Sequence, residues 1–364
     1  MPGLEEKLLG FFAGRGCEIP AIALLQPADP FLDTAGEDLR RRIFITADRA
    51  GVSLCLRPEF TIPVCMHHLA SGNAATRYAY GGSVFRQREN APSEFHQAGI
   101  EDIGNGDRTA ADAAAILDCA QALEAAGAKG FEFVMGDQAV FEAVLDALGL
   151  PEVWRARLGR DFGDMALLKN DLHRLERGGI SGTENLPPEI GKLVDGGDRA
   201  GVTQWIAGKI EEGGLAHSGG RTAGEIAGRL FEKAELAAFR LEREKLAALN
   251  AFLEIKDDAL SAIDRLHALA REYKLDLGVA LENFAARLDA LAGADLDPHY
   301  VAAFGRRLDY YTGLVFEMTM PGAAKPVAGG GRYDRLMGLL GAPEPVPAVG
   351  FSIWVDRLPR EGAS

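Results

Sequence analysis

Apolar positions along the first third of the chain predict one helix followed by several short strands. Apolar residues recur at helical spacing from Leu4 to Phe12, so an amphipathic helix should end near the glycines that follow. Alternations of the β type then occur at 42–46, 52–57, 77–80, 83–86 and 95–101. Successive short strands of this kind favour an antiparallel sheet.

The remainder of the chain has mainly helical sequence patterns, which give way to strand patterns near its end. Thr109, with Asp112 three positions later, predicts the start of an Ala-rich helix. Helical patterns dominate from 139 to 296 and include a Thr222-x-x-Glu225 capping box. Strand patterns return at 314–318 and 348–353. We therefore predict one β-rich domain formed by 1–138 and 297–364, interrupted by a mainly helical region at 139–296.

The composition is that of an ordinary globular protein. The chain has 364 residues, of which 47% are hydrophobic and 25% are charged, enough for one large core and a second unit. Its formal net charge of -14 leaves no overall basic surface of the kind that nucleic-acid binders show, although a local basic patch is compatible with this total.

The cysteines and the N-terminal segment indicate an intracellular protein. Cys17, Cys55, Cys65 and Cys119 contain no C-x-x-C pair and have no histidine at metal-ligand spacing, which predicts reduced, mostly buried thiols and no metal site. The N-terminal segment carries acids where a signal peptide has bases, and no apolar run approaches the length of a membrane span. We expect a cytoplasmic location.

The stretch from Arg306 to Glu317 carries the most specific chemistry of the chain. Its sequence, RRLDYYTGLVFE, places a basic pair, an acid and two tyrosines before a β-prone run, and the sequence AGGGRYD follows at 328–334. Tyrosines supply rigid polar surface and charges fix orientation, so this stretch suits the binding of a small zwitterion. Packing of two strand tyrosines is the alternative interpretation.

Two earlier segments supply further polar candidates. The run LRPEFT ends at Thr61, and FHQAGIE ends at Glu101. Gln97 and Glu101 are four residues apart, which on a strand places both side chains on one face, where an amide and a carboxylate can hold an ammonium group. A solvated polar pair is the alternative.

The order of these motifs resembles the histidyl-tRNA synthetase family over nearly the whole chain. LRPEFT, FHQAGIE, RRLDYYTG, AGGGRYD and PAVGFSIWVDRL follow one another as in the catalytic domain of that family. The resemblance implies an α+β fold of the class II aminoacyl-tRNA synthetase type, with an antiparallel sheet flanked by helices and, here, a helical insertion. It also implies a dimer interface in motif 1, at 18–31, and an ATP site in motifs 2 and 3.

The resemblance assigns residues to a histidine pocket. These are Glu59, Thr61, Arg86, Gln97, Glu101, Arg306, Tyr310 and Tyr311. The two glutamates, Thr61 and Gln97 match positions around the α-amino group, and the two tyrosines match the wall around the imidazole. Arg306 matches the arginine of the family's R-G-L-D-Y-Y motif. Arg86 and Arg357 match the arginines of motifs 2 and 3 that meet the phosphates of ATP.

Departures from the family's pattern predict that catalysis is lost. Arg88 stands where motif 2 has an acid that contacts adenine, and the loop after it is short and acidic, which disfavours contact with RNA phosphates. In motif 3, Trp354 replaces a small residue and Asp356 replaces the glutamate before Arg357. Arg307 replaces a glycine, and the sequence stops where the family continues into an anticodon-binding domain. We expect a damaged ATP site, an intact histidine pocket and no tRNA binding.

These properties are similar to those of the regulatory subunits of ATP phosphoribosyltransferase. That resemblance implies a paralogue without aminoacylation activity and without a cofactor. It implies a homodimer within a hetero-octamer that contains a short catalytic subunit, which carries out the first step of L-histidine biosynthesis and is inhibited by histidine. Residues 139–296 are the candidate additional partner surface, and a solvated helical insertion is the alternative.

Two other functions fit some of the same residues. A truncated histidyl-tRNA synthetase-like enzyme that activates an amino acid with ATP is favoured by the three matched arginines and disfavoured by Arg88 and Trp354. A Gly-rich nucleotide-binding loop at 329–331 is weakly supported, because no Lys-Ser/Thr follows it and its spacing matches no phosphate loop.

Overall fold

A computed structural model describes residues 2–34, 36–72, 74–178, 183, 186–213, 222–306 and 310–359. The chain forms two compact units, of which the first comprises Met1–Val144 and Ala251–Ser364 and the second comprises Leu145–Asn250. The second unit is narrower than the helical region predicted at 139–296. Residues 251–296 fall in the first unit because they contribute an edge strand to its sheet.

The first unit is built on a large sheet. Its strands are β4 (Thr76–Phe85), β5 (Glu94–Ile103), β6 (Glu132–Asp137), β7 (Lys256–Asp258), β8 (Pro298–Val301), β9 (Leu314–Thr319), β10 (Ala328–Arg332) and β11 (Ala348–Trp354). Their order in the sheet is β4-β5-β11-β10-β9-β6-β8-β7, and the pairing is antiparallel except between β6 and β8. A smaller sheet joins β1 (Leu25–Pro27), β2 (Ile45–Ala47) and β3 (Ser53–Leu56) in the order β1-β3-β2.

Helices flank this sheet, which confirms the predicted α+β class II synthetase-like fold. The helices in chain order are α1 (Pro2–Ala13), α2 (Asp29–Thr34), α3 (Glu37–Arg40), α4 (Thr61–Ser71), α5 (Arg108–Ala125), α6 (Gln138–Ala147), α7 (Glu152–Asp161), α8 (Met165–Arg177), α9 (Pro188–Asp195), α10 (Arg199–Glu212), α11 (Ala223–Ala238), α12 (Arg243–Leu253), α13 (Ala259–Tyr273), α14 (Gly278–Leu291) and α15 (Asp334–Leu339), with a 3-10 turn at Val355–Arg357. Within the described ranges, no helix combines the length and apolar character needed to cross a bilayer.

The two strands predicted at 77–80 and 83–86 are one strand, β4. Gly81 and Gly82 lie between the two predicted strands, but the ladder with β5 continues through both residues. A Cβ at Gly81 would lie 3.0 Å from Cγ of Glu5 in α1, so the missing side chain makes room for the helix that packs on the strand. This glycine therefore serves helix packing and does not end the strand.

The Ala-rich helix α5 begins with a cap that the sequence analysis placed wrongly. Asp107 Oδ1 accepts a hydrogen bond from Ala110 N at 3.0 Å and caps the helix, so the predicted Thr109-x-x-Asp112 cap is not formed. Asp112 is instead buried, where Arg287 Nε donates to its Oδ2 at 3.0 Å and Arg332 Nε donates to its Oδ1 at 2.8 Å. This carboxylate ties α5 to α14 and β10.

An apolar core lies around α4 and one end of the large sheet. It joins residues of the small sheet and α2 to residues of α4, β4 and β5, and it also includes Tyr310, Tyr333 and Trp354. All four cysteines are buried and form no disulfide. The core therefore runs without interruption into the region where the sequence predicts a binding site.

The second unit is helical. Its apolar cluster is formed by Ile190, Val194, Val202, Ile206 and Ala227. The capping box predicted before α11 is present, because the hydroxyl of Thr222 accepts from Glu225 N while the Glu225 side chain accepts from Thr222 N.

Candidate functional site

One cavity of about 50 Å³ in the first unit collects every residue that the sequence predicted for the histidine pocket. Its lining includes Glu59, Thr61, Arg86, Gln97, Glu101, Arg306, Tyr310 and Tyr311. These eight come from the β3–α4 connection, the first residue of α4, the residue after β4, the strand β5 and the segment before β9. Residues 307–309, which include the Arg307 departure, lie outside the described residues.

The register of β5 and β11 places the polar candidates on one face. Gln97 pairs with Trp354, and Glu101 pairs with Gly350. Directly opposed residues in an antiparallel pair point to the same side, and side chains on a strand repeat every second residue. Gln97 and Glu101 therefore share a face, as their spacing predicted, and both line the cavity.

Glycines opposite these residues make room for them. A Cβ at Gly350 would overlap Oε2 of Glu101, and a Cβ at Gly329 would overlap Nη1 of Arg306. The glycine run 329–331 lies in β10, hydrogen-bonded between β9 and β11, so the alternative of a phosphate-binding loop is wrong. Gly329 and Gly350 are instead needed because charged side chains pass directly over the sheet at these two positions, whereas a Cβ at Gly330 or Gly331 would meet backbone oxygens.

Glu101 is the most deeply buried charged group of the cavity. Only 1% of its surface is exposed. Its Oε1 accepts from the Thr61 hydroxyl at 2.7 Å, and its Oε2 accepts from the Tyr333 hydroxyl. The pKa of Glu101 is raised to about 8, chiefly by burial and also by nearby Glu59, while the hydrogen bonds from the Tyr333 and Thr61 hydroxyls oppose the rise. A cation placed against this carboxyl would favour its ionised form.

Glu59 serves the helix as well as the cavity. Its carboxylate accepts from Thr61 N at 2.6 Å and from Ile62 N at 2.9 Å, which satisfies donors of the first turn of α4. Burial raises the pKa of Glu59, and these bonds together with Arg86 oppose the rise. Thr61 does not cap this helix with its side chain, because its hydroxyl donates to Glu101.

Two polar atoms of the cavity residues are buried without a partner among the described residues. They are Gln97 Oε1, an acceptor, and Arg306 Nη1, a donor. The ion pair of the Arg306 guanidinium with Glu317 is long, since Nε lies 3.7 Å from Glu317 Oε1. A buried polar atom without a hydrogen bond costs about 1–3 kcal/mol. A ligand that brings one donor and one anionic acceptor would remove both deficits.

The departures in motifs 2 and 3 contact each other. Arg88 Nη1 lies 3.6 Å from Asp356 Oδ2, and its guanidinium carbon lies 3.3 Å from the centre of the Phe95 ring. The acid-to-arginine change and the glutamate-to-aspartate change thus form one ion pair. This pair occupies the position where the resemblance implied adenine contacts.

Trp354 lines the cavity, whereas Arg357 does not line it. The indole is 7% exposed, and the guanidinium carbon of Arg357 lies 4.4 Å from its ring centre. Arg357 also donates from Nη1 to the Pro326 carbonyl. The family's phosphate-binding arginine is therefore engaged by the protein itself.

Tyr333 is a lining residue of the cavity that the sequence did not predict, and Tyr80 lies behind the lining. Tyr333 donates to Glu101, and the Tyr80 hydroxyl lies 2.7 Å from Ser352 Oγ in the space that Gly99 leaves free. Tyr333 belongs to the quoted AGGGRYD motif, so its hydroxyl was the available signal. Among the residues that the structure describes, no group of three or more His, Cys, Asp or Glu could hold a metal ion.

Comparisons with known proteins give relatives over nearly the whole chain. The family model of histidyl-tRNA synthetase matches residues 1–174 and 229–358. A Mesorhizobium japonicum protein named ATP phosphoribosyltransferase regulatory subunit is 48% identical over 362 residues, which cover 98% of this chain and 96% of that protein. A Brucella anthropi protein of the same name is 50% identical over 364 residues, with 98% and 96% covered.

A solved structure from Bacillus halodurans has the same fold. It is described as an ATP phosphoribosyltransferase regulatory subunit/histidyl-tRNA synthetase, and it superimposes with a TM-score of 0.66 over 98% of this chain and 77% of that chain. Its sequence identity is 20%, so this likeness shows the fold alone.

Proposed function

This chain belongs to the family of ATP phosphoribosyltransferase regulatory subunits, which have the histidyl-tRNA synthetase fold, and from that premise we propose how its cavity is used. The chain is a regulatory subunit in histidine biosynthesis. We propose that it has no catalytic activity of its own and that it acts with a short catalytic subunit in the first step of the pathway. In this proposal the cavity binds L-histidine and transmits feedback inhibition.

The observation that carries the proposal is the combination of two buried carboxyls with two unpartnered polar atoms in one cavity. A ligand ammonium would donate to Glu101 and to Gln97 Oε1, with Glu59 adding negative charge, and a ligand carboxylate would accept from Arg306 Nη1. This set of partners is complementary to an amino-acid zwitterion. It leaves neither of the two buried atoms unsatisfied.

The side chain of the ligand would lie against tyrosines. The ring centres of Tyr310 and Tyr311 are 5.2 Å apart and those of Tyr310 and Tyr333 are 5.9 Å apart, so the three rings form a continuous aromatic wall. An imidazole packs well against such rings, and the hydroxyls can satisfy its nitrogens. These contacts support histidine as the ligand.

Helix α4 offers a route from the cavity to the rest of the unit. Glu59 caps its first turn, and Thr61 begins it while donating to Glu101. Buried residues of α4 pack in the same core as residues of the small sheet. Histidine would change an assembly through this element only if its affinity differs between two states of that assembly, and we propose that it does.

The proposal that the chain has no catalytic activity rests on the former ATP site. The Arg88–Asp356 pair and the indole of Trp354 fill positions that in the synthetases contact adenine or remain open. With Arg357 held by Trp354 and Pro326, no free cation remains at that position of motif 3 in the described residues. This arrangement supports a subunit that neither activates an amino acid nor charges tRNA.

An exposed apolar surface on the small sheet supports a homodimer. Large apolar side chains exposed in this region are Ile19, Leu24, Leu25, Ile45 and Val52. Several exposed apolar side chains in one region commonly mark a protein interface, and a symmetric dimer would cover the same residues on both copies. We propose that such dimers join catalytic subunits in a cytoplasmic hetero-octamer, with the helical residues 139–296 as an additional partner surface.

Co-expression with a short ATP phosphoribosyltransferase catalytic chain tests this function. The two chains should co-purify, and phosphoribosyl transfer by the catalytic chain should rise when this subunit is added and fall again when histidine is added. A catalytic chain that is fully active and histidine-sensitive without this subunit would contradict the proposal.

A further inference from the structure

Trp354 lies next to two guanidinium groups at one wall of the cavity. The guanidinium carbon of Arg306 lies 5.7 Å from the indole centre, and that of Arg357 lies 4.4 Å from it. A cation over an indole ring is attracted by the electron-rich face. Trp354 therefore holds the arginine that carries the unpartnered buried Nη1 atom, and it lines the cavity beside that atom.

Three restraints keep the indole in this place. Trp354 N donates to the Val327 carbonyl at 2.9 Å, and its Cα is registered opposite Gln97 on β5. The next turn is tied down by the pair of Asp356 with Arg88, whose guanidinium stacks on a phenylalanine ring. These restraints hold the backbone on both sides of Trp354, and the indole, at 7% exposed, is packed closely enough to have little freedom to move away from a larger ligand.

We propose that Trp354 makes this cavity selective for amino acids with a free carboxylate and excludes those extended at that group, such as esters and adenylates. This inference rests on the proposed function, because it assigns the ligand carboxylate to Arg306. A carboxylate bound to Arg306 lies near the indole, whose centre is 5.7 Å from the guanidinium carbon, and in this proposal a substituent on its oxygen meets the ring. A sensor built this way reads the free end product and ignores activated forms of it.

A comparison of two neutral derivatives separates size from charge. L-Histidinamide replaces the carboxylate by a group of the same size without its charge, and L-histidine methyl ester adds one methyl to a similarly neutral group. Forcing an extra methyl into a packed site costs enough to weaken binding by about 5- to 150-fold. The ester should therefore bind the unsubstituted chain at least about fivefold more weakly than the amide.

Titration calorimetry on the full chain measures L-histidine, the amide, the ester and a non-hydrolysable sulfamoyl mimic of histidyl-adenylate. In Trp354→Ala the ester should bind as well as the amide, and the adenylate mimic should gain affinity. Trp205→Ala removes an indole that does not line the cavity, and its ester-to-amide ratio should equal that of the unsubstituted chain. If Trp354→Ala does not fold, the ester-to-amide affinity ratio is compared between the milder variant Trp354→Leu and the unsubstituted chain.

The outcomes distinguish the selectivity proposed for Trp354 from the proposed binding of histidine. Histidine that binds, together with equal affinities for ester and amide in the unsubstituted chain, would overturn the selectivity and leave the proposed function intact. An adenylate mimic that binds the unsubstituted chain more tightly than histidine would also overturn it. Failure of histidine itself to bind would refute the proposed ligand and this inference with it.

Discussion

Replacement of Glu101 by glutamine tests whether the cavity holds a carboxyl that is protonated near neutrality. Glutamine has the shape of the protonated acid but cannot ionise. The Tyr333 hydroxyl can still donate to its oxygen, and the Thr61 hydroxyl can accept from its amide instead of donating. The substitution should therefore leave the fold intact and remove only the ionisation.

The expected magnitude follows from the pKa of this group. Burial raises it from the usual 4.5 to about 8 in the folded chain. Between these values the unfolded chain has lost the proton and the folded chain has kept it, so the free energy of unfolding falls as the pH rises through this window. At about 1.36 kcal/mol per pKa unit, this group should lower the stability of the wild-type chain by about 3 kcal/mol between pH 5 and pH 8.

Urea unfolding without histidine, followed by circular dichroism at several pH values from 5 to 8, measures this effect. The Glu101→Gln chain should match the wild type near pH 5 and become more stable than it by about 3 kcal/mol at pH 8. Glu94→Gln removes an exposed carboxylate from the same strand and should not reproduce this dependence. A difference between wild type and Glu101→Gln that stays constant across the range would refute the reasoning.

Three further predictions concern catalysis, assembly and Gly350, a lining residue of the cavity. Because Trp354 lines the cavity, the purified chain should not exchange pyrophosphate into ATP in the presence of histidine, and exchange above a protein-free blank would favour the synthetase alternative. Leu25→Asp should convert a dimer into a monomer in sedimentation velocity, whereas the same substitution at another exposed leucine, Leu339→Asp, should leave the dimer intact. A wild-type chain that is a monomer would contradict the proposed interface. Gly350→Ala should abolish histidine binding in calorimetry, because its Cβ would overlap the Glu101 carboxylate. Gly338→Ala, whose Cβ would have nothing within 4 Å, should bind histidine normally. Retained binding in Gly350→Ala would show that the cavity tolerates a side chain at this position.

The candidate site was predictable from the sequence where a single strand or an ordered set of motifs carries the information. The four-residue spacing of Gln97 and Glu101 fixes their common face, because side chains on a strand alternate. The order of the motifs implied the other members of the cavity lining and the fold. Local spacing and motif order were therefore sufficient to select the residues.

Interactions between distant segments were not predictable in the same way. Arg88 and Asp356 are far apart in the sequence and were read as two separate losses, but β5 and β11 are neighbours and bring them into one ion pair. The sequence assigned no role to Gly350, whereas the strand register places it directly opposite Glu101, where a Cβ would overlap the carboxylate. Such roles depend on strand pairing, which a single sequence does not specify.

The regulatory role of the cavity is tested most directly by histidine inhibition of the reconstituted complex. Complexes of the catalytic chain with wild-type or Glu101→Gln regulatory subunit are compared at pH 7.5 for activity over a range of histidine concentrations, after equal assembly of the two has been verified by sedimentation. Loss of one charge-assisted hydrogen bond should raise the histidine concentration for half-inhibition by about 10- to 150-fold in the variant. An unchanged concentration for half-inhibition in the Glu101→Gln complex would contradict the account and leave this chain as a scaffold whose cavity is not the histidine sensor.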